Sequence, residues 1–194
     1  MHVVETLKLK NNKTLEIVHD EDADSPRDWD NLTKMVCFHR RYRLGDLSDS
    51  YIEDDYSSWD ELYEDIMRRD NPLVIKPLYM YDHSGITIST EPFSCSWDSG
   101  QIGYVFITPQ RAEELGVAIW DDEPWFDYIK RLEGYLKNEV KMYDNYVTGD
   151  VYGYRVVDQE GNEEDSCWGY YGSDLKENGI LDEFSSQLEN IDDL

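Results

Sequence analysis

Short segments of this chain alternate between apolar and polar residues, which is the pattern of half-buried β-strands. At the N-terminus, VVETLKLK and TLEIVH flank the turn residues Asn11, Asn12 and Lys13 and predict a hairpin over residues 3–19. Because neighbouring segments follow short turns, we expect them to pair as antiparallel hairpins in one sheet. The same pattern predicts strands at residues 35–42, 73–81, 86–90, 102–107, 151–157 and 164–170.

Other segments show helical spacing. In SSWDELYEDIMRRD, Ser57 or Ser58 is the candidate N-cap, and Glu61, three residues after Ser58, completes a capping box. Pro109 opens a second, short helix, since proline is favoured at the first helical position. A longer helix is predicted over about residues 122–143, with an apolar face of Phe126, Ile129, Leu132, Leu136 and Val140.

The element pattern predicts an α+β fold, an antiparallel sheet of hairpins with two to four helices packed on it. The length fits a single domain over residues 1–194. We divide it into an N-terminal hairpin and acidic connector (1–33), a core (34–172), and an acidic C-terminal helix and tail (173–194). That last helix is predicted to be marginal, because Gly179 lies inside it.

The charge balance narrows the class of partner. The chain has 43 Asp and Glu against 18 Lys and Arg, a formal net charge of −25. Disorder does not explain this acidity, since 40% of the residues are hydrophobic and 13% are aromatic. A folded protein this acidic repels nucleic acid and anionic membrane, so we expect neither as a direct partner and predict a basic protein surface instead.

The sequence also bears on location and cofactors. We find neither a signal-peptide pattern nor an apolar run of transmembrane length. Three widely spaced cysteines do not indicate a disulfide framework, so a reducing cytoplasmic setting is predicted. Because no zinc, calcium or phosphate-loop spacing occurs, no metal or cofactor is expected.

Acidic residues cluster in two places. Residues 46–65 contain nine acids and no base, and a second patch lies at residues 121–123 beside Trp120, Trp125 and Phe126. Aromatic rings among carboxylates suit a protein interface better than a nucleic-acid platform. The candidate partner-binding residues are Asp49, Glu53, Asp54, Asp55, Asp60, Glu61, Glu64, Asp65, Asp121, Asp122 and Glu123.

A second set of polar residues suggests a different kind of site. The turn Asp82-His83-Ser84-Gly85 is followed by a segment with Cys95 and Asp98, residue types that can form a nucleophile and its base. The alternative site consists of His39, Asp82, His83, Cys95 and Asp98, with Asp150 as a further candidate. The same residues can instead hydrogen-bond a turn, as sequence neighbours usually do.

The one basic cluster, residues 39–43, is predicted to lie in a strand with Arg41 and Arg43 on one face. It could contact an anion, but pairing with the chain's own carboxylates is favoured.

Five segments of the chain resemble a family of uncharacterised small proteins from bacteriophages and other bacterial mobile elements. The segments are MVCFHRRYRLGD (35–46), PLYMYDHSGITIST (77–90), PFSCSWDSGQIGY (92–104), YDNYVTGDVYGY (143–154) and DSCWGYYG (165–172). The resemblance implies an accessory phage or plasmid product in the bacterial cytoplasm, but no reaction, cofactor or catalytic residue.

Charge and resemblance together favour a binding protein over an enzyme. In composition the chain is similar to anti-restriction and anti-CRISPR proteins, which occupy the nucleic-acid groove of a bacterial defence enzyme. Our first hypothesis is therefore an inhibitor that binds the basic surface of such a protein by charge mimicry. The alternatives are a small enzyme or ligand-binding module built on the second set of residues, and a host-takeover adaptor that mimics nothing.

Overall fold

The computed structural model describes residues 2–46 and 50–188 of the chain. These residues form four helices and two antiparallel sheets of four strands each, so the predicted α+β class is confirmed. The strands are β1 (Val3–Lys8), β2 (Thr14–His19), β3 (Lys34–Cys37), β4 (Val74–Asp82), β5 (Ile86–Ser89), β6 (Ser99–Ile107), β7 (Val151–Val157) and β8 (Glu163–Tyr171). The helices are α1 (Trp59–Asp70), α2 (Pro109–Glu114), α3 (Trp125–Thr148) and α4 (Ile180–Phe184).

The contacts divide the chain into two compact units. The terminal unit contains the described residues of Met1–Ser25 and Asn145–Leu194, and the central unit is Pro26–Asp144. Each unit has one of the two sheets.

The terminal unit is a sheet in the order β1-β2-β7-β8 with α4 on one face. The N-terminal hairpin joins the C-terminal one through β2 and β7, where Leu15 pairs with Val156 and Ile17 with Tyr154. Residues of both strands pack against Ile180 and Phe184 of α4 in a single apolar cluster. Burial of this cluster holds the N-terminal hairpin against β7 and α4.

The central unit has three layers. Its sheet runs β3-β6-β4-β5, and residues alternate between its two faces. One face, with Tyr104 and Phe106, packs on Leu62 and Ile66 of α1. The opposite face carries Lys76, which forms a 3.0 Å ion pair with Glu133 of α3. The sheet is therefore sandwiched between α1 and α3.

The predicted cap at the start of α1 is present, with Ser58 as the N-cap. The Ser58 hydroxyl accepts a 3.3 Å hydrogen bond from the backbone N–H of Glu61. The Glu61 carboxylate reaches back one residue further than expected and accepts from the Ser57 N–H at 2.8 Å. Asn71 ends the helix in the left-handed conformation, with φ of 42°. The Ser58 contact satisfies one of the backbone N–H groups that a helix leaves unpaired at its N-terminus.

Several predictions of local structure are wrong. The expected single sheet is two sheets, because the β2–β7 pairing joins residues far apart in sequence and hairpin spacing carries no information about it. The first core strand ends at Cys37, so the basic cluster 39–43 lies in a loop. Gly179 precedes α4 with φ of 95° and does not lie inside it. Residues 189–194 of the predicted tail lie outside the described residues.

The buried face of helix α3 differs from the predicted one at its N-terminal end. Its buried stripe is Tyr128, Leu132, Leu136, Val140 and Tyr143. Phe126, predicted to begin that stripe, is 74% exposed. It belongs to the first turn of the helix, and the apolar stripe begins two residues later at Tyr128.

Candidate functional site

The first candidate site is the acidic segment, which we define as residues 53–65. It begins with a 3-10 turn at Glu53–Asp55, continues through Ser57 and Ser58, and includes the first half of α1. Asp49, also predicted to bind the partner, lies outside the described residues.

Two acids of the segment are used within the protein. Asp65 accepts a 2.7 Å hydrogen bond from the Tyr56 hydroxyl and forms ion pairs with Arg68 and Arg69. These partners, Tyr56 first, lower the pKa of Asp65 to about 2. The bond from the Ser57 backbone N–H lowers the pKa of Glu61. Both carboxylates therefore stabilise the segment itself.

The other acids of the segment face solvent. They are all exposed, and within the described residues none has an ion pair with a basic side chain. On α1 two of them are four residues apart and lie on the same side, about 6 Å apart along the axis. The five are Glu53, Asp54, Asp55, Asp60 and Glu64.

The second acidic patch, residues 121–123, is partly neutralised. Glu123 holds Arg131 through two hydrogen bonds, of 2.8 and 2.7 Å, which lower the pKa of the carboxyl. The Arg131 guanidinium in turn lies 4.0 Å from the centre of the Trp120 ring. Asp121 and Asp122 are exposed and have no ion pair within the described chain. This patch thus offers two available carboxylates rather than three.

The alternative site divides into two small groups of side chains. In the first, His83 Nδ1 lies 3.2 Å from Asp98 Oδ2, and the Cys95 thiol donates to the same oxygen at 4.0 Å. The His83 backbone N–H also donates to the Gly85 carbonyl at 3.0 Å, within the turn between β4 and β5. His83 is therefore within reach of a distant segment, as an enzymatic site would require.

The second group surrounds Asp82. Its carboxylate pairs with Arg41 and lies 3.5 Å from the Tyr42 hydroxyl. His39 stacks on the Tyr42 ring at 5.1 Å, and its Nδ1 accepts the backbone N–H of Arg41 at 3.4 Å. Internal pairing thus accounts for Arg41 in the basic cluster. Asp150 belongs to the terminal unit, so only five of the six candidates share a unit.

The order of groups around Asp98 does not match nucleophilic catalysis. In a triad the imidazole lies between the nucleophile and the carboxylate, and reactive thiols have a cation or base beside them. Here the carboxylate lies between the thiol and the imidazole, and the side chains of His83 and Asp98 are 64% and 41% exposed. The arrangement ties the β4–β5 turn to the loop before β6.

Sequence reasoning missed a cavity beside the acidic segment. It has a volume of about 300 Å³, with Phe38, Tyr56, Trp59 and Leu62 as apolar walls and Glu53 among the lining residues. Phe38 lies 6.1 Å from Tyr56 and 6.3 Å from Trp59, ring centre to ring centre. Two of its rings flank the capping serines in sequence, but Phe38 is brought in from beyond β3, which no local pattern indicates.

A second cavity, of about 350 Å³, collects basic side chains. Lys34 pairs with Asp70, Arg69 with Asp65, and Arg111 with Asp30. Each cation near this cavity therefore has a carboxylate partner.

No group of three or more His, Cys, Asp or Glu residues in the described chain could hold a metal ion. Among the same residues, no helix has the length and apolar character needed to cross a membrane.

Comparisons of the chain with protein-family models, with curated proteins and with solved structures found no match.

Proposed function

We propose that this protein is an accessory phage or plasmid product that binds and inhibits a bacterial nucleic-acid-handling defence protein in the host cytoplasm. One observation carries the proposal: the acidic segment presents five exposed carboxylates without an ion pair in the described chain. A stable fold does not need them, because unpaired surface charges repel one another. They are available to a partner with clustered Lys and Arg.

The physics of the partner supports this choice. Duplex DNA carries one negative charge per about 1.7 Å, so proteins that bind it present dense basic surfaces. A protein with a net charge of −25 is steered toward such a surface and away from nucleic acid.

The acidic segment is also held in place before binding. Ser58 caps α1, and Asp65 ties the helix to Tyr56 in the loop before it. Because these contacts order the backbone that carries the exposed carboxylates, less conformational entropy is lost on association and more of the attraction appears as affinity.

The experiment is affinity capture from a bacterial lysate with the full chain as bait, followed by mass spectrometry. We compare the wild type with the acid-neutral variant, Glu53→Gln, Asp54→Asn and Asp55→Asn together. The matched control is Glu21→Gln, Asp22→Asn and Glu160→Gln, exposed acids of the terminal unit that change the net charge equally.

The proposal predicts that nucleic-acid-binding proteins are captured by the wild type and the control but lost with the acid-neutral variant. It also predicts that added duplex DNA releases them. The proposal fails if the acid-neutral variant captures the same proteins as the wild type. It fails equally if both variants lose them to the same extent, since general acidity would then explain the result.

The contact of His83 and Cys95 with Asp98 supports a second candidate, a small enzyme or ligand-binding module. If Cys95 is a nucleophile, it reacts with iodoacetamide faster than the exposed Cys167, and His83→Ala removes the difference. Equal rates for the two thiols contradict this candidate. We place it second because of the order of groups around Asp98.

A further inference from the structure

The 300 Å³ cavity beside the acidic segment is lined by three aromatic rings. Its volume is at the lower end for small-ligand sites, which begin at about 300 Å³, so it suits one side chain better than an extended ligand. Phe38, Tyr56 and Trp59 are half-buried, and they pack on a cluster that includes the fully buried Leu62. The rings are therefore fixed from behind and partly open in front.

The Phe38 ring is stacked with both of the other rings. The Phe38 ring is within 20° of parallel to Tyr56 and within 15° of parallel to Trp59. Centre-to-centre distances of 6.1 and 6.3 Å are typical of offset stacking, in which part of each face is left uncovered. Uncovered ring faces carry partial negative charge and attract cations.

Two of the three wall residues are held by hydrogen bonds. The Tyr56 hydroxyl is held by Asp65 at 2.7 Å, and burial, followed by this bond, raises the pKa of the phenol. Trp59 is the first residue of the capped helix α1, and its carbonyl accepts from the Tyr104 hydroxyl at 3.2 Å. The occupant thus meets a preformed surface.

The charge at the cavity selects the occupant. Glu53 lines the cavity and has no ion pair among the described residues, and Asp54 and Asp55 follow in the same 3-10 turn. An aromatic face beside a carboxylate matches a guanidinium, because that group is planar, stacks on rings and bonds carboxylates in a bidentate way. An ammonium is more strongly hydrated and lacks a flat face, so lysine fits less well.

We propose that this cavity binds an arginine side chain of the protein partner, with the guanidinium against the aromatic wall and hydrogen-bonded to Glu53. The inference rests on the proposed function and adds to it the chemistry of one contact. Arginine is enriched among the residues that contribute most to binding energy at interfaces. Here its insertion would also fix the orientation of the partner, which long-range charge attraction alone does not do.

The test uses the full chain and three peptides of equal length, tri-arginine, tri-lysine and tri-citrulline, with affinity measured by calorimetry. Citrulline keeps the shape of arginine but has no charge. We expect tri-arginine to bind about three- to fivefold more tightly than tri-lysine, the effect of roughly 1 kcal/mol from stacking. Tri-citrulline should bind more weakly than both.

Two variants locate the effect. Trp59→Leu should remove the preference for arginine, whereas Trp97→Leu, which removes an indole that is 94% exposed, should keep it. Circular dichroism checks folding, and if Trp59→Leu does not fold, Phe38→Leu takes its place. Equal affinity for tri-arginine and tri-lysine, citrulline binding as well as arginine, or a preference that survives Trp59→Leu or its substitute overturns the inference.

The failure of this inference is separable from that of the proposed function. If both cationic peptides bind equally and the acid-neutral variant loses its captured partners, the cavity inference falls and the function stands. If the cavity prefers arginine but the acid-neutral variant captures the same proteins as the wild type, the cavity inference stands and the proposed function falls.

Discussion

The hydroxyl of Tyr56 donates a 2.7 Å hydrogen bond to Oδ2 of Asp65 and so connects the loop that carries three of the unpaired acids to the middle of α1. Replacing Tyr56 with Phe removes this bond but keeps a ring in the aromatic wall. We expect the free energy of unfolding to fall by about 1 kcal/mol, the usual net value of one hydrogen bond. Urea unfolding measures it, and an unchanged midpoint contradicts the role assigned to this bond.

The same bond has a pH signature. The pKa of Asp65 is lowered to about 2, chiefly by Tyr56 and then by Arg68, whereas an unfolded Asp titrates near 3.9. Because the pKa is lower in the folded state, the ionised Asp65 stabilises the fold fully at pH values above the unfolded pKa. This stabilisation is lost as the pH falls toward 2.

We therefore expect the acid side of the stability curve to be shallower between about pH 4 and pH 2 in Asp65→Asn than in the wild type. Carboxyl NMR titration should show the pKa of Asp65 moving up in Tyr56→Phe. A wild-type Asp65 that titrates at its ordinary value contradicts the geometry.

Glu139 of α3 is predicted to be a major stabilising residue of the central unit. Its carboxylate accepts the backbone N–H groups of Leu32 at 2.8 Å and Thr33 at 3.0 Å, and it pairs with Arg27, whose side chain is only 4% exposed. Glu139→Gln should lower the free energy of unfolding by about 2–4 kcal/mol, because it leaves buried polar groups poorly paired.

The matched control for that change is on the same helix. Glu133→Gln breaks the ion pair with Lys76, in which both side chains are about one-third exposed, and should cost less than about 1 kcal/mol. Equal losses for the two variants, measured by urea unfolding, would show that Glu139 is only a surface charge.

Gly103 of β6 marks a close approach between strands. A Cβ placed there would lie 1.8 Å from the carbonyl oxygen of Val36 on β3. We expect Gly103→Ala to lower the free energy of unfolding by about 2 kcal/mol or more, because one strand must move. Gly100→Ala in the same strand has no neighbour within 4 Å and should fold with nearly wild-type stability. Similar stability of the two variants would contradict the β3–β6 packing.

Local patterns predicted the parts of the fold that depend on neighbouring residues. The Asn turn at residues 11–13 gave the first hairpin, and Ser58 with Glu61 gave the start of α1. The pairing of β2 with β7 and the division into two units depend on residues more than a hundred positions apart, for which one sequence carries no local signal.

In the candidate site, too, some features had a local signal in the sequence and others had none. The count of acids identified the acidic segment. It did not indicate that Asp65 and Glu123 form ion pairs within the protein. The pairing of Asp65 with Arg68 and Arg69 follows helical spacing and was available from the sequence. The Glu123–Arg131 pair spans eight residues and the start of α3, and the ring of Phe38 comes from another strand end, so neither had such a signal.

The central claim, that the unpaired carboxylates of the acidic segment attract a basic nucleic-acid-handling partner, is tested most directly by association kinetics with a captured partner. Wild type is compared with Glu53→Lys, Asp54→Lys and Asp55→Lys together, at salt between about 0.1 M and 1 M, where the Debye length falls from about 10 to 3 Å. We predict that the wild-type association rate falls steeply with salt, that charge reversal slows association at low salt while leaving the unfolding midpoint nearly unchanged, and that duplex DNA competes. A tight complex whose association rate does not change with salt, with charge reversal or with competing DNA would contradict the account.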